Sequence, residues 1–195
     1  MTRKIGFDFE QTLHNATMLF WQRGYAATGL RDLLKVMKIG EGSFYNSHKS
    51  KKRLYLNCLQ HYQDLVVSPR IDALLTAPTA AAGIRAFFDD VLNTLDNPET
   101  PSRLCMVAAM EVEEVLAEAE LRHQLQQNLS QLQTLMFERL RDDKGQGLLP
   151  ATVDPLITAQ VIITFLQGLW RMALLDYDRK RFSTQIDTLL TGLGL

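Results

Sequence analysis

Cysteine is scarce. Cys58 and Cys105 are the only two among 195 residues and form no C-x-x-C pair, so neither a disulfide framework nor a thiolate zinc site is indicated. Histidine is nearly as rare, with four. Glu120-x-x-His123 is the single Glu-x-x-His pair, and a helical di-metal centre needs two. No metal or other cofactor is expected. G-x-S-x-G and H-E-x-x-H do not occur, and "GQG" at 145–147 reads as a turn, so no catalytic residue is named and the chain is not read as an enzyme. Long apolar runs are missing as well. The cations of "MTRKIGFDFEQ" are not followed by the apolar segment of a secretory signal. The most apolar stretch, "LITAQVIITFLQGLWRMALL", is interrupted by Thr158, Gln160, Thr164, Gln167 and Arg171, which favours a helix buried against protein over a membrane span. A cytoplasmic protein with no membrane partner is expected. Strands, repeats and low-complexity tracts are not evident either.

What is present is helix. An apolar fraction of 46% suffices for an enclosed core, and the fold class is all-α. Phe9, Leu13, Ala16 and Phe20 mark one face of a helix over about 9–23 that stops at Gly24. Thr28 is the expected cap of a second helix, carrying Leu30, Leu33, Leu34 and Met37 and ending near Lys38. After the turn "KIGEG" come a short helix at Ser43–Asn46 and a fourth, capped by Ser50, from Lys51 to about Pro69. Further helices are predicted near 71–75 and 83–96, through one region from "SRLCMVAAMEVE" to about Asp143, from Pro155 to about Tyr177, and over Phe182–Leu190.

Charge divides the chain. Residues 1–53 hold ten Lys/Arg against four Asp/Glu, a balance of +6, and residues 54–195 hold eleven against eighteen, a balance of −7. A basic head on an acidic body suggests that the head meets a polyanion. Three short helices with a tight turn between the second and third make a helix-turn-helix. In "EGSFYN", Phe44 is the natural inward anchor, while Glu41, Ser43 and Asn46 are left to face a major groove. Lys51, Lys52 and Arg53 occupy the first turn of helix four, where the helix dipole disfavours positive charge by roughly 0.3–1 kcal/mol each. A DNA phosphate is the expected compensation.

The stretch "LFWQRGYAATGLRDLLKVMKIGEGSFYNSHKSKKRLY" resembles the N-terminal domain of the TetR family of transcriptional repressors, through Leu19, Phe20, Gly24, Tyr25, Thr28, Gly42, Tyr45, Ser50 and Lys51. The resemblance implies that Thr28, Tyr45 and Lys51 sit on backbone phosphates and that residues from Gly42 to Asn46 enter the groove. With Arg31, Glu41, His48 and Lys52 they make up the expected DNA-facing set. Three departures stand out. Lys38 and Lys49 occupy positions where the family usually has glycine, or glycine or proline, so Lys38 is expected in a left-handed conformation. His48 replaces a usual phenylalanine, which reads first as a tolerated substitution that weakens the anchor of the recognition helix; the alternative is that, beside three cations, it offers the head another charge at mildly acid pH.

The resemblance further implies two domains: residues 1–53 as the helix-turn-helix domain and 54–195 as a helical ligand-binding and dimerisation domain. Ile157, Val161, Thr164, Leu166, Gly168 and Leu169 of one helix, with Ile186, Leu189 and Leu190 of the last, are apolar enough to build a four-helix homodimer interface. Candidates for a pocket are Phe88, Cys105, Met106, Met110 and Trp170, suited to an apolar small-molecule inducer. "RLCMVAAMEVE" also resembles a segment in which a cysteine opens a long helix and in certain members senses electrophiles or oxidants. The expected function is a homodimeric repressor on a palindromic double-stranded DNA operator. The alternative, raised by Lys38 and His48, is a dimeric small-molecule-binding or scaffold protein that has lost operator binding.

Overall fold

The computed structural model describes residues 9–195, which fold into helices with no strand among them. α1 (Phe9–Arg23) buries Ala16, Thr17, Leu19, Phe20 and Trp21 on the face set by its apolar spacing. Gly24 ends it at φ +75°, its N–H reaching Phe20 O at 2.7 Å. α2 (Leu30–Met37) is preceded at the capping position by Gly29, not Thr28. The Thr28 hydroxyl instead donates to Gly24 O at 2.6 Å and is fully buried, closing the α1–α2 turn. Lys38 ends α2 in the left-handed region, at φ 54° and ψ 41°. α3 (Glu41–His48) is longer than expected because Gly40, not Glu41, takes the extended capping position.

α4 (Lys51–Tyr62) begins at Ser50, whose hydroxyl accepts the Arg53 N–H at 3.1 Å. Pro69 was expected near its end, yet the helical path continues. A wider, π-type turn over Gln63–Val67 leads into α5 (Ser68–Thr76), whose first turn holds Pro69, a position that proline tolerates. α6 (Ala80–Asp96) is capped by Thr79 and by the buried Asp143, whose Oδ2 accepts the Ala80 N–H at 2.6 Å. Gly83 allows α5 and α6 to touch: a Cβ there would lie 2.3 Å from Leu74 O.

The continuous helix expected from Ser102 onward does not form. Residues 104–107 run through turns into a single tight turn at Ala108–Met110, then α7 (Glu113–Leu116) and α8 (Ala119–Gly145). The reason is burial: Cys105, Met106, Val107, Ala108 and Met110 are all inside, and a helix offers only one apolar face. Backbone N–H groups in tight turns take the carbonyls of Cys105, Val107 and Met110, and side chains reach two more. Trp21 Nε1 donates to Leu104 O at 2.9 Å and Arg171 Nη2 to Ala108 O at 2.9 Å.

α9 (Pro155–Leu175) starts at Asp154, whose carboxylate accepts the N–H groups of Leu156 and Ile157, and lies against α8. It has the length and mean hydropathy, 1.3, of a membrane span, but its Arg171 is bonded to body carbonyls. α10 (Arg179–Gly192), capped by Asp178, returns along α6, tied there by Arg85–Asp187 and Arg179–Asp96 ion pairs.

Candidate nucleic-acid interface and inner cavity

The head is α1, α2, α3 and the start of α4. Phe44 is fully buried on α3, and Glu41, Gly42, Ser43, Tyr45 and Asn46 are exposed around it, with Arg31 exposed on α2. A Cβ added at Gly42 would meet nothing within 4 Å. The fold therefore gives no reason for a glycine here, which costs a helix roughly 0.5–1 kcal/mol.

Two residues of the expected DNA-facing set are turned inward. Thr28 is buried with its hydroxyl engaged. His48 is 1% exposed, stacked on Phe9 and tilted against Phe44, and neither ring nitrogen has a hydrogen-bond partner among the described residues. It fills the phenylalanine slot as an aromatic plug. Burial lowers its pKa, which agrees with a tolerated substitution and goes against the alternative of an extra charge at mildly acid pH.

The three cations of α4 find different company. Lys51 Nζ lies over the Tyr25 ring, 4.4 Å from its centre, and partial burial lowers its pKa. Lys52 pairs with Glu118 at 3.3 Å and Glu120 at 3.4 Å, and the Glu118 hydrogen bond raises its pKa. The charge at this helix start is thus already compensated by an aromatic ring and two body carboxylates, not left to phosphate alone. Arg53 is exposed. Glu120, considered above beside His123, faces Lys52.

Behind the head lies a cavity of about 190 Å³ between the α4–α5 junction, α6, the Cys105 segment, α8 and α9. Cys105 and Trp170 line it, as expected. Phe88, Met106 and Met110 do not: all three are fully buried in core, and Phe87, one position earlier, faces the space instead. The wall is also less apolar than expected, since Gln63, Arg70, Asn128 and Gln167 share it. Burial of Arg70 is supported by Asp90 at 2.7 Å and Thr94 at 2.6 Å. Tyr62, whose hydroxyl donates to Cys105 Sγ at 3.4 Å, packs edge-on against Trp21 of α1. The cavity wall and the head therefore meet at Trp21.

Residues 13–58 match the family model for bacterial regulatory proteins of the tetR family, and residues 80–189, more than half of the chain, match the model for the tetracyclin repressor-like C-terminal domain. The chain belongs to the TetR family. HTH-type transcriptional regulator YezE of Bacillus subtilis is 27% identical over 147 residues, 75% of each chain. HTH-type transcriptional repressor ComR of Escherichia coli is 24% identical over 169 residues, 84% of this chain and 78% of ComR. Among solved structures, a cysteine mutant of the TetR-family regulator CifR, in complex with 26-bp double-stranded operator DNA, superposes with a TM-score of 0.89 at 28% identity, over 97% of this chain and 98% of that one.

Within this TetR-family frame, Lys38 and His48 are both accommodated, the first in the left-handed turn and the second in the aromatic core of the head, so neither deforms the helix-turn-helix. Sequence reasoning missed the polar side of the cavity. Gln167 carries a visible signal, a glutamine inside the most apolar helix. Asn128 carries none, because α8 is rich in polar residues.

Proposed function

We propose that this TetR-family protein is a cytoplasmic, homodimeric repressor that binds a palindromic operator and is released when a small molecule fills the inner cavity. The observation that carries the DNA reading is the polar, exposed α3 face of Glu41, Gly42, Ser43, Tyr45 and Asn46, anchored by buried Phe44 and flanked by Lys51, Lys52 and Arg53. The operator complex of CifR supports it.

A homodimer is favoured by one stripe on α9. Ile157 (54% exposed), Val161, Thr164, Gly168, Met172 (56%) and Leu175 (79%) follow one another at helical spacing, with Leu189 of α10 beside them. Leu166 and Leu169, and Ile186 and Leu190 of α10, all expected at this interface, are buried in the chain's own core. A stripe this apolar is unsuited to water, and pairing with its copy gives the four-helix arrangement. Release follows from Trp21 and Lys52, which connect the cavity segment and the α7–α8 junction to the head. We assign the protein no catalytic activity and no cofactor. Gel shifts with fragments flanking its own gene test the reading: retarded bands that a cavity ligand abolishes are expected, and ligand binding without any retardation would contradict it.

A further inference from the structure

The polar side of the cavity has a definite hydrogen-bonding pattern. Gln63 Nε2, at 2.8 Å, and Gln124 Nε2, at 3.1 Å, both donate to Asn128 Oδ1. That fixes the amide so that its Nδ2, a buried donor, has no partner among the described residues. On α9, Gln167 Oε1 is a buried acceptor with no partner either. Both residues line the cavity. Arg70 does not ask for an anion, because Asp90 neutralises it and Thr94 takes a second N–H while the guanidinium lies near the Trp170 ring. Asp64, also on the wall, adds negative charge. Among the described residues the wall thus presents one fully buried unused donor, one fully buried unused acceptor and no uncompensated buried cation, beside the apolar surfaces of Phe87, Leu132 and Trp170.

We propose that the effector is a neutral small molecule with a hydrogen-bond acceptor for Asn128 Nδ2 and a donor for Gln167 Oε1, on an aromatic or aliphatic body; carboxylates, sulfonates and phosphates are selected against. This narrows the apolar inducer expected from sequence, and it rests on the reading of the cavity as the effector site. A buried amide without a partner is costly, and a plain hydrocarbon leaves both groups unpaired whereas an anion adds a desolvated charge beside Asp64.

Calorimetric titration of the full chain, without DNA, tests this with matched sets: phenols bearing a neutral carbonyl, such as 4-hydroxyacetophenone and larger homologues, the corresponding hydroxybenzoates, and the corresponding alkylbenzenes. The best neutral donor–acceptor probe is expected to bind about 10-fold or more tightly than its carboxylate and hydrocarbon counterparts. Gln167→Met and Asn128→Asp, close in shape to the native residues, should each reduce that preference over the hydrocarbon about fivefold or more, and Gln167→Met should not lower the melting temperature of the free protein. Equal or tighter binding of the anions, a preference unaltered in both variants, or no binding by any neutral probe, with water alone filling the site, overturns the proposal. Because no DNA is present, failure here leaves the repressor reading standing, whereas cavity binding without operator binding overturns only the latter.

Discussion

Lys52 Nζ stands 3.3 Å from Glu118 Oε2, so a cation expected on DNA phosphate is held by a carboxylate of the body. Glu120 adds a second at 3.4 Å. If phosphate and carboxylate compete for this lysine, Glu118→Gln combined with Glu120→Gln should tighten DNA binding a few-fold and steepen the slope of log affinity against log salt by about 1. Titrations at several salt concentrations decide; unchanged affinity and slope would leave Lys52 out of the DNA interface.

The exposed face of α3 and the start of α4 should behave differently on mutation. Ser43→Ala and Asn46→Ala are expected to alter base preference, by about 1–3 kcal/mol at the affected position, with the salt slope unchanged. Lys51→Ala should weaken binding to all sequences alike and lower that slope by about 1. Competition with mutated sites separates the two behaviours.

His48 gives the head a pH dependence. Burial keeps its folded-state pKa below the unfolded value of about 6.5, so the unfolded chain takes up the proton first. Its contribution to stability is complete above about pH 6.5 and is lost as pH falls through that value towards the lower folded pKa. His48→Phe removes two unpartnered nitrogens and should stabilise the protein by about 1 kcal/mol, with a smaller fall in melting temperature between about pH 7.5 and 5.5. Some acid sensitivity should remain, because burial and His14 also lower the His61 pKa. An identical fall in both proteins would show that His48 does not titrate on folding.

Lys38 is strained. A left-handed non-glycine residue costs roughly 1–2 kcal/mol, part of which glycine returns through its freer unfolded chain. Lys38→Gly should therefore raise the melting temperature by about 2 °C, read by thermal denaturation.

Gly168 lies on the exposed α9 stripe, and a Cβ there meets nothing within 4 Å. Gly168→Arg should keep the helical content of the chain yet give a monomer in sedimentation, with operator binding lost at concentrations that saturate the native protein. A dimer that survives the arginine would move the interface elsewhere.

The legible part of the fold was set by local rules. Phe9, Leu13, Ala16 and Phe20 at helical spacing, Ser50 as a cap and Pro155 in a first turn gave elements that the structure contains. Where tertiary demands win, sequence reading failed: Cys105 to Met110 is apolar all round and gives up helix for burial, with Trp21 holding the Leu104 carbonyl before it and Arg171 the Ala108 carbonyl within it. The same limit applies to the site. Exposure around Phe44 follows from helix periodicity, whereas the inward turn of Thr28 and His48 depends on neighbours, and the choice of Phe87 over Phe88 at the cavity depends on how α6 is rotated against α8 and α9.

Selection of binding sequences from a random double-stranded DNA library by the full chain tests the repressor reading most directly. The account predicts enrichment of a pseudo-palindrome whose half-sites fall in successive major grooves, about 34–36 Å apart, with two chains bound per site. No enrichment, or a single asymmetric half-site held by one chain, would contradict it.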